Sequence, residues 1–289
     1  MSKIKNYFLN TRPYSWADLL SAGLLAKYSD TTNFALTKTD IYISIGLLSL
    51  WIFYNLILEH KHAYTYRGKT SILLTYFFLI LPIALSIYLK SYWSLVFIFI
   101  SSVLVYIYLQ KNKNKLLGIL SCTVRGLIQV NYFLYILFLL QISLKKEHVI
   151  LSLIIFCLYV SRAVVGDIRD IKHNAKKNKK TIPVLYGKSF SRYTVSFMML
   201  FSSFLIITTF NTLTITLPLI MFALTLLTYK NGYILHQLLI NTTMFFSFMF
   251  VGLSTNQNIL YILLIYIGIY LNTIFYPLLK RESNPTFTN

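Results

Sequence analysis

The sequence predicts an all-α fold, a polytopic transmembrane bundle of nine to ten helices around a central cavity, with residues 1–289 forming a single domain. Three observations lead there. Hydrophobic residues make up 56% of the chain and charged residues 12%, with a mean hydropathy of +0.63, whereas roughly a quarter of a soluble domain is charged. The apolar residues come in runs close to the ~20 residues that a helix needs to cross hydrocarbon, not in the short alternating segments of a barrel. The 27 Lys and Arg residues fall mainly in the gaps between those runs.

Taken in order, the first candidate helix spans 14–35 and is interrupted by Asp18, Lys27, Asp30 and Asn33, the pattern of a helix that turns one polar face toward a cavity. The next five runs are 41–59, 70–89, 91–110, 116–141 and 148–166. After a long polar segment come 192–210, 212–228, 233–253 and 258–279. The break at Asn211 admits either a turn between two crossings or a kink within one. With the N-terminus inside, 20 Lys and Arg residues fall on one side of the membrane and five on the other, namely Lys27, Lys38, Lys90, Lys145 and Lys146, while Arg125 and Arg162 lie within spans. That asymmetry fixes the expected orientation, with the N-terminus and the loops after the second and sixth helices cytoplasmic, in the cell membrane.

The same placement of charge speaks against nucleic acid as a partner, although the formal net charge is +19. The two cysteines, Cys122 and Cys157, sit inside apolar runs and read as small buried hydrophobes, with no disulfide framework and no zinc site. Met1 to Ser15 is basic and polar, and the run after it lacks a small-residue cleavage site, so no removable signal peptide is expected.

Chemistry concentrates in 166–184, where the chain stops being apolar. Asp167, Asp170 and Asn174 stand at i, i+3 and i+7 and would form one stripe of oxygen ligands on a helix. Such a stripe suits a hard divalent cation, and magnesium is usually held by one or two carboxylates while it bridges to substrate phosphates. The lysines close behind, Lys179 and Lys180 among them, would take up remaining phosphate charge. A second polar stripe, Asn55 and Glu59 with His62, stands at the end of the second span, so the two stripes would face one cavity. Arg162 is about 140° around the helix from Asp167 and is not expected to share the metal.

These residues resemble the UbiA-type intramembrane prenyltransferases. The family's second motif, D-x-x-D-x-x-x-D followed by a basic or glycine-containing turn and Thr-Leu-Pro-Val, stands here as Asp167-Ile168-Arg169-Asp170-Ile171-Lys172-His173-Asn174, then Lys179-Lys180-Thr181-Ile182-Pro183-Val184 and Gly187. Arg12-Pro13-Tyr14-Ser15-Trp16 resembles the family's Arg-Pro segment before its first helix. The first motif, N-D-x-x-D-x-x-x-D, falls on 55–63, where Asn55 is kept, Glu59 replaces one aspartate, and Leu56 and Ala63 replace the other two. With Asn174 in the second motif, three of six carboxylates remain. The last span is an addition to the family's usual nine.

The resemblance implies transfer of a prenyl group from an allylic prenyl diphosphate to a hydrophobic, typically aromatic acceptor within the lipid bilayer, by Mg2+-assisted ionisation. It implies Asp167 and Asp170 as the catalytic pair, with Asn174 and Glu59 completing the metal ligands. Asn55, Glu59, Lys179 and Lys180 are then expected at the substrate. Arg67 and Lys69 make the first loop electropositive and would take over part of the diphosphate, although topology alone also accounts for their charge. Arg125, deep in the fifth span, would meet an acceptor carboxylate or the diphosphate, or else pair structurally with a residue such as Asp18. A cyclase of the same architecture and a weakened lipid-binding paralogue are the alternatives that the lost carboxylates leave open.

Overall fold

The structure, a computed structural model, describes residues 8, 10–29, 37–62, 71–255 and 258–283. Among them are eleven α-helices and no strand: α1 (Trp16–Tyr28), α2 (Lys38–His62), α3 (Ile72–Tyr88), α4 (Tyr92–Leu109), α5 (Lys115–Leu139), α6 (Lys146–Arg169), α7 (Ile171–Lys176), α8 (Ile182–Phe210), α9 (Leu217–Thr228), α10 (Gly232–Thr255) and α11 (Asn258–Ser283). Ten of these correspond to the ten expected spans, and the six-residue α7 is the addition. Within the described residues six helices, α2, α4, α5, α6, α8 and α10, hold segments long and apolar enough to cross a membrane. The protein is a multi-pass integral membrane protein.

The helices close into a ring. Each of α1 to α6 packs on the next, then α6 on α8, α8 on α9, α9 on α10, and α10 back on α1. α5 also touches α1 and α10 touches α6 across the interior, while α11 lies against α10 and the N-terminal turn. Burial follows this order: 72% of the apolar window of α6 is inside the protein, against 33% for α4 and α8. α6 is therefore a central element, and α4 and α8 turn large apolar side chains such as Phe99, Tyr106, Phe197 and Phe204 outward, where lipid is their matching solvent.

Local chemistry sets the helix ends. Asn114 Oδ1 accepts from the Leu117 amide at 2.8 Å and caps α5. Asn211, at φ 52°, closes α8 through its amide to the Ile207 carbonyl, so the break there is a true turn between two helices. α1 is shorter than its expected span, starting after a 3-10 turn at Pro13–Ser15 and ending at Tyr28. α8 begins earlier than expected, at Ile182, because Pro183 opens a first turn and Gly187, at φ 86°, bends it from the long helix that follows.

Candidate functional site

The N-terminal turn carries the first cation of the site. The Thr11 carbonyl accepts from two indoles, Trp16 Nε1 at 3.2 Å and Trp51 Nε1 at 3.1 Å, which pins the chain against α2. Arg12 follows in a left-handed conformation at φ 55°, uncommon for a residue with a Cβ. Its guanidinium is 3.7 Å from the Glu59 carboxylate on α2, whose side chain is 2% exposed. One turn earlier, Asn55 donates to the Trp51 carbonyl at 2.8 Å and leaves its buried Oδ1 without a partner.

The second motif sits at the end of α6, and it does not run as one continuous helix. α6 stops at Arg169, Asp170 at φ −96°, ψ 12° serves as its cap, and α7 starts at Ile171. The break separates the two aspartates in role. Asp167 is half-buried and, among the described residues, accepts only a weak bond from the Cys122 thiol at 3.4 Å and a long one from the Asn174 amide at 3.5 Å. Asp170 is instead gripped by its neighbour: Arg169 Nε donates to Oδ1 at 2.8 Å and Nη2 to Oδ2 at 2.6 Å. Among the described residues no group of three or more His, Cys, Asp or Glu side chains could hold a metal ion. A weakly partnered carboxylate beside an amide fits magnesium all the same, because that ion keeps waters and takes phosphate oxygens for most of its shell.

Cations surround Asp167. Lys111, at the end of α4, donates to the Tyr108 hydroxyl at 2.7 Å and acts electrostatically on Asp167 together with Arg125. Lys179 is half-buried beside Lys111 and Asp167, and its ammonium is pushed down from 10.5 to about 8, first by burial and then by Lys111 and Lys177. His173 in the same segment is also lowered, by burial and by Lys177 and Lys179. Lys180, expected at the substrate, has an exposed side chain, and its carbonyl lies where a Cβ on Gly118 would come within 2.5 Å. That close approach clamps the basic segment to α5 and turns Lys179 rather than Lys180 inward.

A small cavity, partly open to solvent, lies on the core side of this cluster. Arg12, Trp51, Tyr54, Arg125, Gln129 and His236 are among its walls. It abuts the second motif, because the Cβ position of Gly166 is 3.4 Å from His236 Nε2 and 4.0 Å from an Arg125 guanidinium nitrogen. Arg162 also lines it but is already engaged, donating to Asp18 Oδ2 and to Ser15 Oγ. Arg125 has no such partner among the described residues; it faces the Tyr108 ring at 6.0 Å and is drawn electrostatically to Asp167. The structural alternative for Arg125, pairing with a residue such as Asp18, is not formed, because Asp18 is taken by Arg162.

Glu59 reaches this assembly through Arg12 and Asn55 through the Trp51 carbonyl, whereas Arg67 and Lys69 lie outside the described residues. The sequence reading missed Lys111 and His236. Lys111 stood only among the loop cations that set orientation, and His236 was one histidine in an apolar run with no neighbour in sequence to mark it.

Comparison with known proteins bears on the family and the fold. A sequence model of the UbiA prenyltransferase family matches residues 64–238. No curated protein matches by sequence. Among solved structures, digeranylgeranylglyceryl phosphate synthase is similar at 19% identity and a TM-score of 0.57, covering 93% of this chain and 100% of that one. A UbiA homolog from Archaeoglobus fulgidus bound to GPP and Mg2+ is similar at 13% identity and a TM-score of 0.63, with 92% and 99% covered. The same homolog bound to Cd2+ gives 15% identity and a TM-score of 0.58, covering 93% of this chain and 99% of that one. At such identities the structural likeness is one of fold. The family match spans more than half of the chain, and the protein belongs to the UbiA prenyltransferase family.

Proposed function

We propose that the protein is a membrane prenyltransferase that takes an allylic prenyl diphosphate at the end of α6 and delivers the prenyl group to an acceptor seated in the central cavity. The observation that carries this reading is the position of Asp167. It is a weakly partnered carboxylate ringed by Lys111, Lys179 and Arg125, at the edge of a cavity walled by Trp51 and Tyr54. The solved homolog bound to GPP and Mg2+ supports the donor class and the metal.

Asp167, with the Asn174 amide beside it, would hold a magnesium ion whose chemistry is to neutralise the departing diphosphate. Lys111 and Lys179 bind the remaining phosphate oxygens. Arg125 stands between that site and the cavity, so its guanidinium serves either the diphosphate or an acid group on the acceptor. The faces of Trp51 and Tyr54 exclude water and present π density toward an allylic cation. Arg125 and Gln129 on the cavity wall favour an acceptor over self-cyclisation, because a cyclising hydrocarbon would leave those groups unpaired. The charge asymmetry along the sequence places the site on the cytoplasmic side of the cell membrane.

Membranes carrying the protein, incubated with labelled prenyl diphosphates of several lengths and a cell extract as acceptor source, test this. The expected result is Mg2+-dependent appearance of a prenylated product that needs the extract and is lost in Asp167→Asn. Hydrocarbon or terpene alcohol from the prenyl diphosphate alone identifies a cyclase, and absence of diphosphate release at every length refutes both readings.

A further inference from the structure

The second motif of this chain keeps two aspartates, yet one of them already has a cation. Arg169 holds Asp170 in a two-pronged grip, Nε to Oδ1 at 2.8 Å and Nη2 to Oδ2 at 2.6 Å, which satisfies both carboxylate oxygens with charge-assisted bonds. The guanidinium is held from behind as well. Its Nη1 lies 3.2 Å from His236 Nδ1, and Tyr276, which donates to the Tyr233 carbonyl at 2.9 Å, is 2.9 Å from the same nitrogen. The Arg169 backbone is fixed too, since a Cβ on Gly232 would come 2.9 Å from its Cα, so the start of α10 is pressed onto the end of α6.

We infer that Arg169 is a built-in counter-cation that occupies Asp170 in place of a metal, so that the second motif of this protein takes one divalent cation, at Asp167, and not a second at Asp170. The fork matches a carboxylate in plane and number of donors, and the two side chains are 11% and 23% exposed. Magnesium gives up its own water reluctantly and gains less from a carboxylate whose charge is already neutralised and whose two oxygens each accept a charge-assisted bond. Asp167, three residues earlier, has contacts of 3.4 and 3.5 Å only and keeps its oxygens available. The inference rests on the proposed diphosphate site, but it concerns which aspartate is open and is read separately from activity.

The test counts bound Mn2+ by electron paramagnetic resonance on the full-length protein in detergent, saturated with a non-ionisable prenyl thiolodiphosphate. The inference is read as the difference between variants. Arg169→Gln is expected to bind one Mn2+ more than the unaltered protein, and Arg169→Lys, which keeps the charge, the same number. An unchanged count in Arg169→Gln overturns the inference. Asp170→Asn guards against misfolding of the arginine variant: its count is expected to equal that of the unaltered protein, and loss of an ion would show Asp170 to be a ligand and overturn the inference as well. No Mn2+ on the unaltered protein would instead refute the magnesium site proposed at Asp167, whatever the difference between variants.

Discussion

Arg162 on α6 is paired with Asp18 on α1, and the pair is completed by Ser15 Oγ at 2.7 Å and by Thr243 Oγ1, which donates to Asp18 Oδ1 at 2.6 Å. Side-chain exposures of 6% and 2% put both charges away from water. Three helices and the N-terminal turn thus meet on one ion pair. Removing either partner strands the other, so Asp18→Leu or Arg162→Met alone is expected to cost about 3–5 kcal/mol. The double variant should recover most of that loss. Thermal unfolding in detergent, run as a double-mutant cycle, measures it.

Asp167 carries the charge that a metal-assisted departure of diphosphate needs. Asp167→Asn keeps the shape and the contact with Cys122, and is expected to lower kcat by about 10²–10³-fold, the scale of losing one group that stabilises developing charge. Cys122→Ser, which keeps a donor at the same place, should stay within about threefold. Initial rates across a magnesium titration check both.

Arg125 should read an acid group if the acceptor has one. Loss of a hydrogen bond to a charged group is worth about 1.5–3 kcal/mol, or roughly a 10–150-fold rise in the acceptor KM for Arg125→Gln. The neutral amide of the same acceptor should show no such difference between the two proteins. If Arg125 serves the diphosphate instead, the KM of the prenyl donor rises and the acceptor KM does not.

Lys179 is shifted from 10.5 down to about 8, chiefly by burial. Its ammonium is present at pH 7 and is lost as the pH rises through that value, so the free protein should bind prenyl diphosphate more weakly at pH 9 than at pH 7. Lys179→Gln is expected to raise the donor KM at pH 7 and to flatten the step. A KM–pH profile of the two proteins gives the comparison.

Gly118 on α5 leaves room for the Lys180 carbonyl, and a Cβ there would stand 2.5 Å from that oxygen. Gly118→Ala should move the segment that carries Lys179 at a cost of about 1–3 kcal/mol, the range for overpacking. The donor KM is expected to rise with little change in detergent extraction or helix content, as followed by kinetics and circular dichroism.

Hydropathy alone determined much of this protein. Runs of apolar residues separated by cations can satisfy their backbone groups in lipid only as helices, so the bundle and the approximate positions of ten helices were legible. The spacing of Asp167, Asp170 and Asn174 marked where the chemistry lies. Which carboxylate is open was decided by the tertiary structure, because the helix breaks at Asp170 and hands that residue to Arg169, a contact that a helical-wheel reading cannot contain. The same holds for Arg162 and Arg125, two arginines within spans. Only the closing of α1 against α6 gives one of them Asp18 and leaves the other facing the cavity, since pairing of buried charges depends on which helices meet and not on distance along the chain.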